Sequence, residues 1–310
     1  MKWYRVRFRL KSWFATPWQS DTIFGHLCWG MRYLFGEDAL TAFLRRYDEG
    51  APPVLVSNGF PGDYLPCPAV HPHEVDAAAP LDEQRQLFDA TRKKRKLMFI
   101  PVGQFNRVIS TGDLNFALEV TGGGLSDRRV TLKNQLNRLT STTGAAGRLY
   151  SFDEYFSPEV TVYAKVADDF VGTLRQLLDY LTHVGYGKRK SAGYGQIASV
   201  DLEQFQGFDS PASANGFVTL SNFVPAAHDP CQGNWAIMVK YGRLGEERAA
   251  SGQVFKKPLL MLVAGSTFYD SQCRDYYGRL VRGLNPAHVD VAQYGLALPV
   301  PMRLPELLPR

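Results

Sequence analysis

The residues best suited to chemistry lie in the run Gly185-Tyr186-Gly187-Lys188-Arg189-Lys190-Ser191-Ala192-Gly193-Tyr194-Gly195. Four of these eleven residues are glycines, which adopt positive φ freely and let other groups approach the backbone, so amide N–H groups can be turned together toward phosphate oxygens. Lys188, Arg189 and Lys190 add consecutive positive charge. Tyr186 and Tyr194 offer rings able to stack on bases, each stack worth about 1–3 kcal/mol. The chemistry this composition supports is RNA binding, and a flexible tight turn is the plainer reading of the same glycines. Nucleotide-enzyme loops are excluded by order. G-x-x-x-x-G-K-[ST] cannot be aligned, and the run follows a helical pattern and precedes a strand pattern, the reverse of NTPase and dinucleotide folds.

A second cluster spans 130–156, VTLKNQLNRLTSTTGAAGRLYSFDEYF, where Lys133, Asn134, Asn137, Arg138 and Arg148 sit among small and hydroxyl residues. That mixture suits contacts to phosphate and sugar without base readout, and it equally suits a loop tied down by its own side-chain to backbone bonds. The run Arg92 to Lys96 reads as a solvated arm or a further RNA contact. Cys67, His71, His73 and Glu74 lie close together, but no second ligand pair at zinc-finger spacing accompanies them, so no metal or cofactor is expected. Neither G-x-S-x-G nor H-E-x-x-H occurs. His26 reads as a packed or capping residue. His183, just before the glycine run, invites a ribonuclease reading, which would need a base of pKa near 7 beside a 2′-hydroxyl.

These residues must be held by elements that the hydrophobic pattern predicts. Residues 2–11 alternate, with Tyr4, Val6, Phe8 and Leu10 on one face and Arg5, Arg7, Arg9 and Lys11 on the other, a strand whose cationic face is either solvated or turned to phosphate. Ser20 or Asp21 should cap a helix carrying Ile23, Leu27, Met31, Leu34 and Phe35, and a short helix from Glu37 to Tyr47 extends it. Prolines and glycines break all periodicity over 51–72. Strands are predicted near 97–102, 115–121 and 159–166, a helix over Phe170 to Leu181, and a strand at 196–205. The order fits a ferredoxin-like sandwich. The stretch 50–157 is longer than such a domain needs and is read as an insertion of functional loops, with a thumb-like piece within 80–130. After the linker-like segment 209–216, strand-like runs near 217–224, 234–241, 259–269 and 289–300 indicate a second β-rich domain. The division expected is 1–208 and 209–310.

The chain has 310 residues, 45% apolar and 21% charged, with a formal net charge of +5, as for a soluble globular protein that tolerates a polyanionic partner. No apolar run is long enough for a membrane span, and arginines interrupt the first ten residues where a signal peptide would be hydrophobic. The four cysteines, far apart, read as reduced cytosolic thiols. A cytoplasmic location is expected.

Four segments in the same order, SDTIFGHLCWGMRYLFGED, KNQLNRLTSTTGAAGRLYSFDEYF, GYGKRKSAGYG and KKPLLMLVAGSTF, resemble the RAMP proteins of type III-A CRISPR interference complexes, and among them the fourth Csm-type subunit family, a relative of the Cas-five group. The resemblance implies an α+β fold of two ferredoxin-like (RRM-like) domains that binds the 5′ tag of crRNA, with the large Cas-ten subunit and a backbone RAMP subunit as partners, target RNA nearby and no catalysis of its own. It implies tag contacts from Gly187, Lys188, Arg189, Lys190, Gly193 and Gly195, and a phosphate-facing helix start at Ser20, Asp21 and Gly25. Cys67 and Asn137 depart from the pattern, where a lysine and an acidic residue would be expected. Alternatives are the equivalent subunit of another type III subtype, or a metal-independent RAMP endoribonuclease that processes the CRISPR precursor with His26 or His183 as base.

Overall fold

In the computed structural model, the described residues are 1–70, 80–82, 85, 97–114, 127–134, 137–143, 149–250 and 252–305. The alternating N-terminus forms strand β1 (Lys2–Leu10), whose even-numbered apolar residues are buried. It is followed by helices α1 (Ser20–Phe35) and α2 (Glu37–Asp48). Residue Gln19 caps α1 without a side-chain bond, so the expected Ser20 or Asp21 cap does not form, and Leu34 and Phe35 lie exposed rather than packed. Strand β2 (Val54–Pro61) occupies the stretch that showed no periodicity. It is an edge strand, broken by a register shift between Val56 and Gly59, where Pro61 and the irregularity are tolerated. A Cβ on Gly59 would lie 2.6 Å from the Trp18 Cβ, so only glycine fits there.

Strands β3 (Tyr64–Pro66) and β4 (Phe99–Pro101) pair, and helix α3 (Val102–Thr111) follows, a helix that the sequence pattern did not reveal. The predicted strand at 115–121 and the basic run 92–96 lie outside the described residues. Strands β5 (Asp127–Asn134) and β6 (Leu149–Phe156) form a separate antiparallel hairpin. This hairpin stands at the C-terminal end of the expected insertion and begins just inside 80–130, and much of that range, where the thumb-like piece was expected, lies outside the described residues. Strand β7 (Glu159–Val166), helix α4 (Val171–Val184) and strand β8 (Ile197–Gln204) complete the N-terminal half. The main sheet runs β2-β7-β1-β8, fully antiparallel, which is the strand–helix–strand, strand–helix–strand order of a ferredoxin-like sandwich.

The C-terminal half differs from the expected second copy of that sandwich. Strands β9 (Gly216–Thr219), β10 (Gly233–Asn234), β13 (Thr267–Tyr269) and β16 (Pro299–Met302) form a sheet in the order β10-β13-β9-β16, and β11 (Ile237–Lys240) with β12 (Leu259–Leu262), and β14 (Tyr277–Gly278) with β15 (Leu296–Ala297), form two small ladders. No α-helix occurs between 209 and 305 among the described residues, so this half lacks the helical layer of a ferredoxin-like domain. Its core is continuous with that of the first half. Val218, Leu220, Tyr294, Leu298 and Val300 belong to the same buried cluster as Val6, Phe8, Leu27 and Val162, and the Tyr294 hydroxyl accepts the Val56 N–H at 3.0 Å across the boundary. No helix of the described residues is long and apolar enough to cross a membrane.

Candidate nucleic-acid interface

The glycine run leaves α4 at Gly185, whose φ of +77° and N–H bond to the Leu181 carbonyl end the helix. Tyr186 turns into the core. Its ring is fully buried and stacks on Trp18 at 3.8 Å, and its hydroxyl donates to the Pro17 carbonyl at 2.8 Å. The base-stacking role considered for Tyr186 is therefore excluded, because this ring is the anchor of the loop. Gly187 N–H donates to Nε2 of His26 at 2.9 Å, and Lys188 N–H donates to the Thr16 hydroxyl at 3.0 Å. Gly195 N–H reaches the Trp13 carbonyl at 2.8 Å. The segment 13–16 and α1 thus hold the loop from beneath.

Two glycines are required by space. Gly187 (φ +77°) would bring a Cβ within 2.7 Å of Thr16, and Gly195 (φ +65°) would bring one within 2.0 Å of the Tyr186 carbonyl oxygen. Between them Arg189 takes a left-handed φ of +64°, and Lys190–Ala192 form one 3₁₀ turn. The amides of Arg189, Lys190 and Ser191 have no hydrogen-bond partner among the described residues, whereas the other loop amides are used internally. Lys188, Ser191 and Gly193 are exposed.

The hairpin β5–β6 lies against this loop, joining two clusters that were separate in the sequence. Lys133 Nζ sits 3.1 Å from the Tyr194 hydroxyl and over the rings of Phe152 and Tyr194 at 5.1 and 5.2 Å. Arg189 lies over Phe152 at 4.4 Å and Tyr150 at 5.3 Å, and Arg129 over Trp13 at 4.1 Å. Glu154 ties the two pieces together. Its enclosed carboxylate accepts from the Tyr194 hydroxyl and from Arg129. Burial raises its pKa, but those donors outweigh burial and hold it below the ordinary carboxylate range. Tyr194 is thus a structural link rather than a free stacking ring. Asn134 and Arg138 are exposed, and Asn137 spends its carbonyl on the Leu139 N–H at 2.9 Å, a local turn bond of the kind weighed for this segment. Arg148 lies outside the described residues, as do His71, His73 and Glu74.

Two expected contacts face elsewhere. Ser20 and Asp21 are buried, Ser20 donating to the Asn222 carbonyl and Asp21 held by Lys240 at 2.9 Å and by Gln293 at 2.6 Å, so the start of α1 faces the C-terminal half and not a ligand. Gly25, half-buried on the next turn, has open space around it. On the cationic face of β1, Arg5 and Arg7 are taken up by Asp63, Glu203 and Glu159, which favours the solvated-face reading for those two residues. His26 is half-buried beneath the loop. Desolvation first, and the Lys190 ammonium second, push its pKa down to about 3, and its Nε2 lone pair is occupied by Gly187. His183 is exposed, with Nδ1 at 2.9 Å from the Asp179 carbonyl oxygen. Sequence reading missed Trp13, Thr16, Arg129, Glu154 and Glu246, the last of which pairs with Lys190. The aromatic density of SWFATPW was the available signal for the first two.

No family model matches this sequence, and no curated relative matches it. Solved structures do. Two are crystal structures of a Csm1–Csm4 cassette, one in complex with pppApA (17% identity, TM-score 0.65) and one with cA4 (17%, 0.66), each match covering 99% of this chain and 100% of the other. A third is a Csm3–Csm4 subcomplex of the type III-A CRISPR-Cas interference complex (13%, 0.64), covering 98% and 100%. Csm4 is the component common to both kinds of complex. The fold is that of Csm4. The Csm4 likeness extends over both halves, including the C-terminal sheet in which the helices of a second ferredoxin-like domain were expected and not found among the described residues.

Proposed function

We propose that this chain is the Csm4-type subunit of a type III-A interference complex, and that it binds the 5′ tag of crRNA through the loop 187–193 and the adjoining hairpin β5–β6 without cutting RNA itself. Its partners on this reading are a Csm1-type (Cas-ten) large subunit and a Csm3-type backbone RAMP subunit, with target RNA nearby and a cytoplasmic setting. The second half is then a RAMP domain that keeps the sheet and has dropped the helical layer. The observation that carries the reading is the coverage of the structural match, essentially end to end in both chains, with Csm4 partnered by Csm1 in one complex and by Csm3 in the other. The loop supports it locally through three amides unpaired among the described residues, beside the exposed Lys188, a site shaped for phosphate.

The test is incubation of the purified full chain with labelled repeat RNA. Binding without cleavage, abolished at high salt, is the expected result. Cleavage lost in His183→Ala would overturn the non-catalytic reading. His26 is a poor base, because its lone pair is engaged and its pKa lies far below neutral.

A further inference from the structure

The loop is not fully open to a polyanion. Lys190 is paired with Glu246, which belongs to the C-terminal half and stands 56 residues further along the chain. Both side chains are mostly covered, at 20% and 30% exposure, so the pair is better shielded from solvent than an ordinary surface ion pair. The segment presenting Glu246 is held in place independently, since the adjacent Glu247 bonds to Arg32 at 3.1 Å and to the Tyr33 hydroxyl at 3.3 Å at the end of α1. Glu246 itself has φ of +48°, a left-handed conformation that costs energy for a residue with a Cβ. An acidic residue in a conformation it does not favour delivers a carboxylate to one of the three cations of the phosphate-shaped loop.

We propose that Glu246 is an internal competitor, its carboxylate standing where an RNA phosphate would otherwise meet Lys190, so that the free subunit binds polyanions weakly and RNA must displace the 246–250 segment to engage the whole loop. This rests on the reading of the loop as an RNA site. A carboxylate and a phosphate oxygen make the same kind of charge-assisted bond to an ammonium, and only one of them can hold its inner face. While Glu246 is in place, Lys190 contributes no counterion release on RNA binding. Freed of it, Lys190 contributes about one phosphate's worth, a salt slope of roughly 0.7 for a single strand.

The test measures fluorescence anisotropy of the full chain with a short labelled single-stranded oligoribonucleotide across a salt series, comparing wild type, Glu246→Gln, Glu246→Gly and Lys188→Ala. The Gly variant removes the carboxylate and relieves the positive φ together, so it guards against a Gln variant that merely misfolds. Expected are binding about threefold or more tighter at low salt in both Glu246 variants, with log–log slopes steeper by about 0.7, and weaker binding in Lys188→Ala. If Lys188→Ala weakens binding but both Glu246 variants leave it unchanged or weaken it, Glu246 positions Lys190 and does not compete with RNA, and the proposal is overturned. If Lys188→Ala has no effect either, the RNA site lies elsewhere, and the functional reading falls along with the proposal.

Discussion

At the scale of single residues, the three neighbouring cations of the loop are not equivalent. Arg189 is spread over Phe152 and Tyr150, Lys190 is paired with Glu246, and Lys188 is exposed with no ion pair among the described residues. Replacing Lys188 with alanine should therefore reduce the salt slope of RNA binding by about 0.7, whereas Lys190→Ala should change it less, a ranking that sequence alone could not give. His26 makes a second prediction. Its folded pKa of about 3 lies below the unfolded value of about 6.5, so between those limits the unfolded chain binds more protons and stability rises with pH. Stability from this residue is complete above about pH 6.5 and is lost as pH falls toward 3, at up to about 1.4 kcal/mol per pH unit. Thermal melts taken from neutral to mildly acidic pH should show that loss. His26→Gln, which keeps an acceptor for Gly187 but does not titrate, should flatten it, and an equally steep acid loss in that variant would place the cause in another group.

At the scale of elements, the sequence displayed what periodicity can display. Strand β1 and helices α1, α2 and α4 stand where alternation or helical spacing put them, because each buries one regular face, and strand β7, a central strand buried on both faces, and strand β8 stand where their alternating sequences put them. Strand β2 was illegible, since an edge strand with a bulge tolerates the proline and glycine that read as loop. The hairpin β5–β6 was illegible for a different reason. Val130, Leu132 and Leu149 are exposed at 61%, 67% and 65%, and its other face carries Arg129, Lys133 and Glu154, so neither face has the apolar pattern of a packed strand. The site was half legible: the loop could be found from composition, but its floor of Trp13, Thr16 and His26 and its tie at Glu154 come from distant segments. That tie predicts a local effect. Glu154→Gln keeps the shape but removes the charge that Arg129 meets, so the hairpin should loosen on the loop. Hydrogen exchange within 127–134 and 149–156 should quicken and RNA affinity should drop severalfold, with the melting temperature nearly unchanged because β5 and the start of β6 are largely exposed. A large fall in melting temperature would show that Glu154 supports the fold at large.

At the scale of the whole molecule, the question is whether the two halves behave as separable domains, as the linker-like composition of 209–216 suggested. The seam argues for one cooperative unit. Asn58 in β2 and Asn222 after β9 bond amide to amide at 3.0 Å, Asn58 also receives the Ser20 N–H at 2.9 Å, and Asn222 receives the Ala264 N–H at 3.0 Å. Beside them Asp21, buried at the start of α1, is held by Lys240 of β11 and by Gln293, which in turn accepts from Lys256 at 2.7 Å. Burial lowers the pKa of Lys256, and the Asp21 charge opposes that shift. Asp21 is thus the carboxylate around which two lysines of the C-terminal half are gathered. Asp21→Asn leaves those cations desolvated and uncompensated, which should cost about 3 kcal/mol, while adding Lys240→Met should restore much of it. The described α-helices all lie in the first half, so helical circular dichroism follows that half, and hydrogen exchange of β9 and β16 follows the other. In wild type and in Asp21→Asn alike the two probes should move together in denaturant, because the common core cannot open on one side alone. Separate transitions in the wild type would show instead that the seam is an interface between independently folding domains.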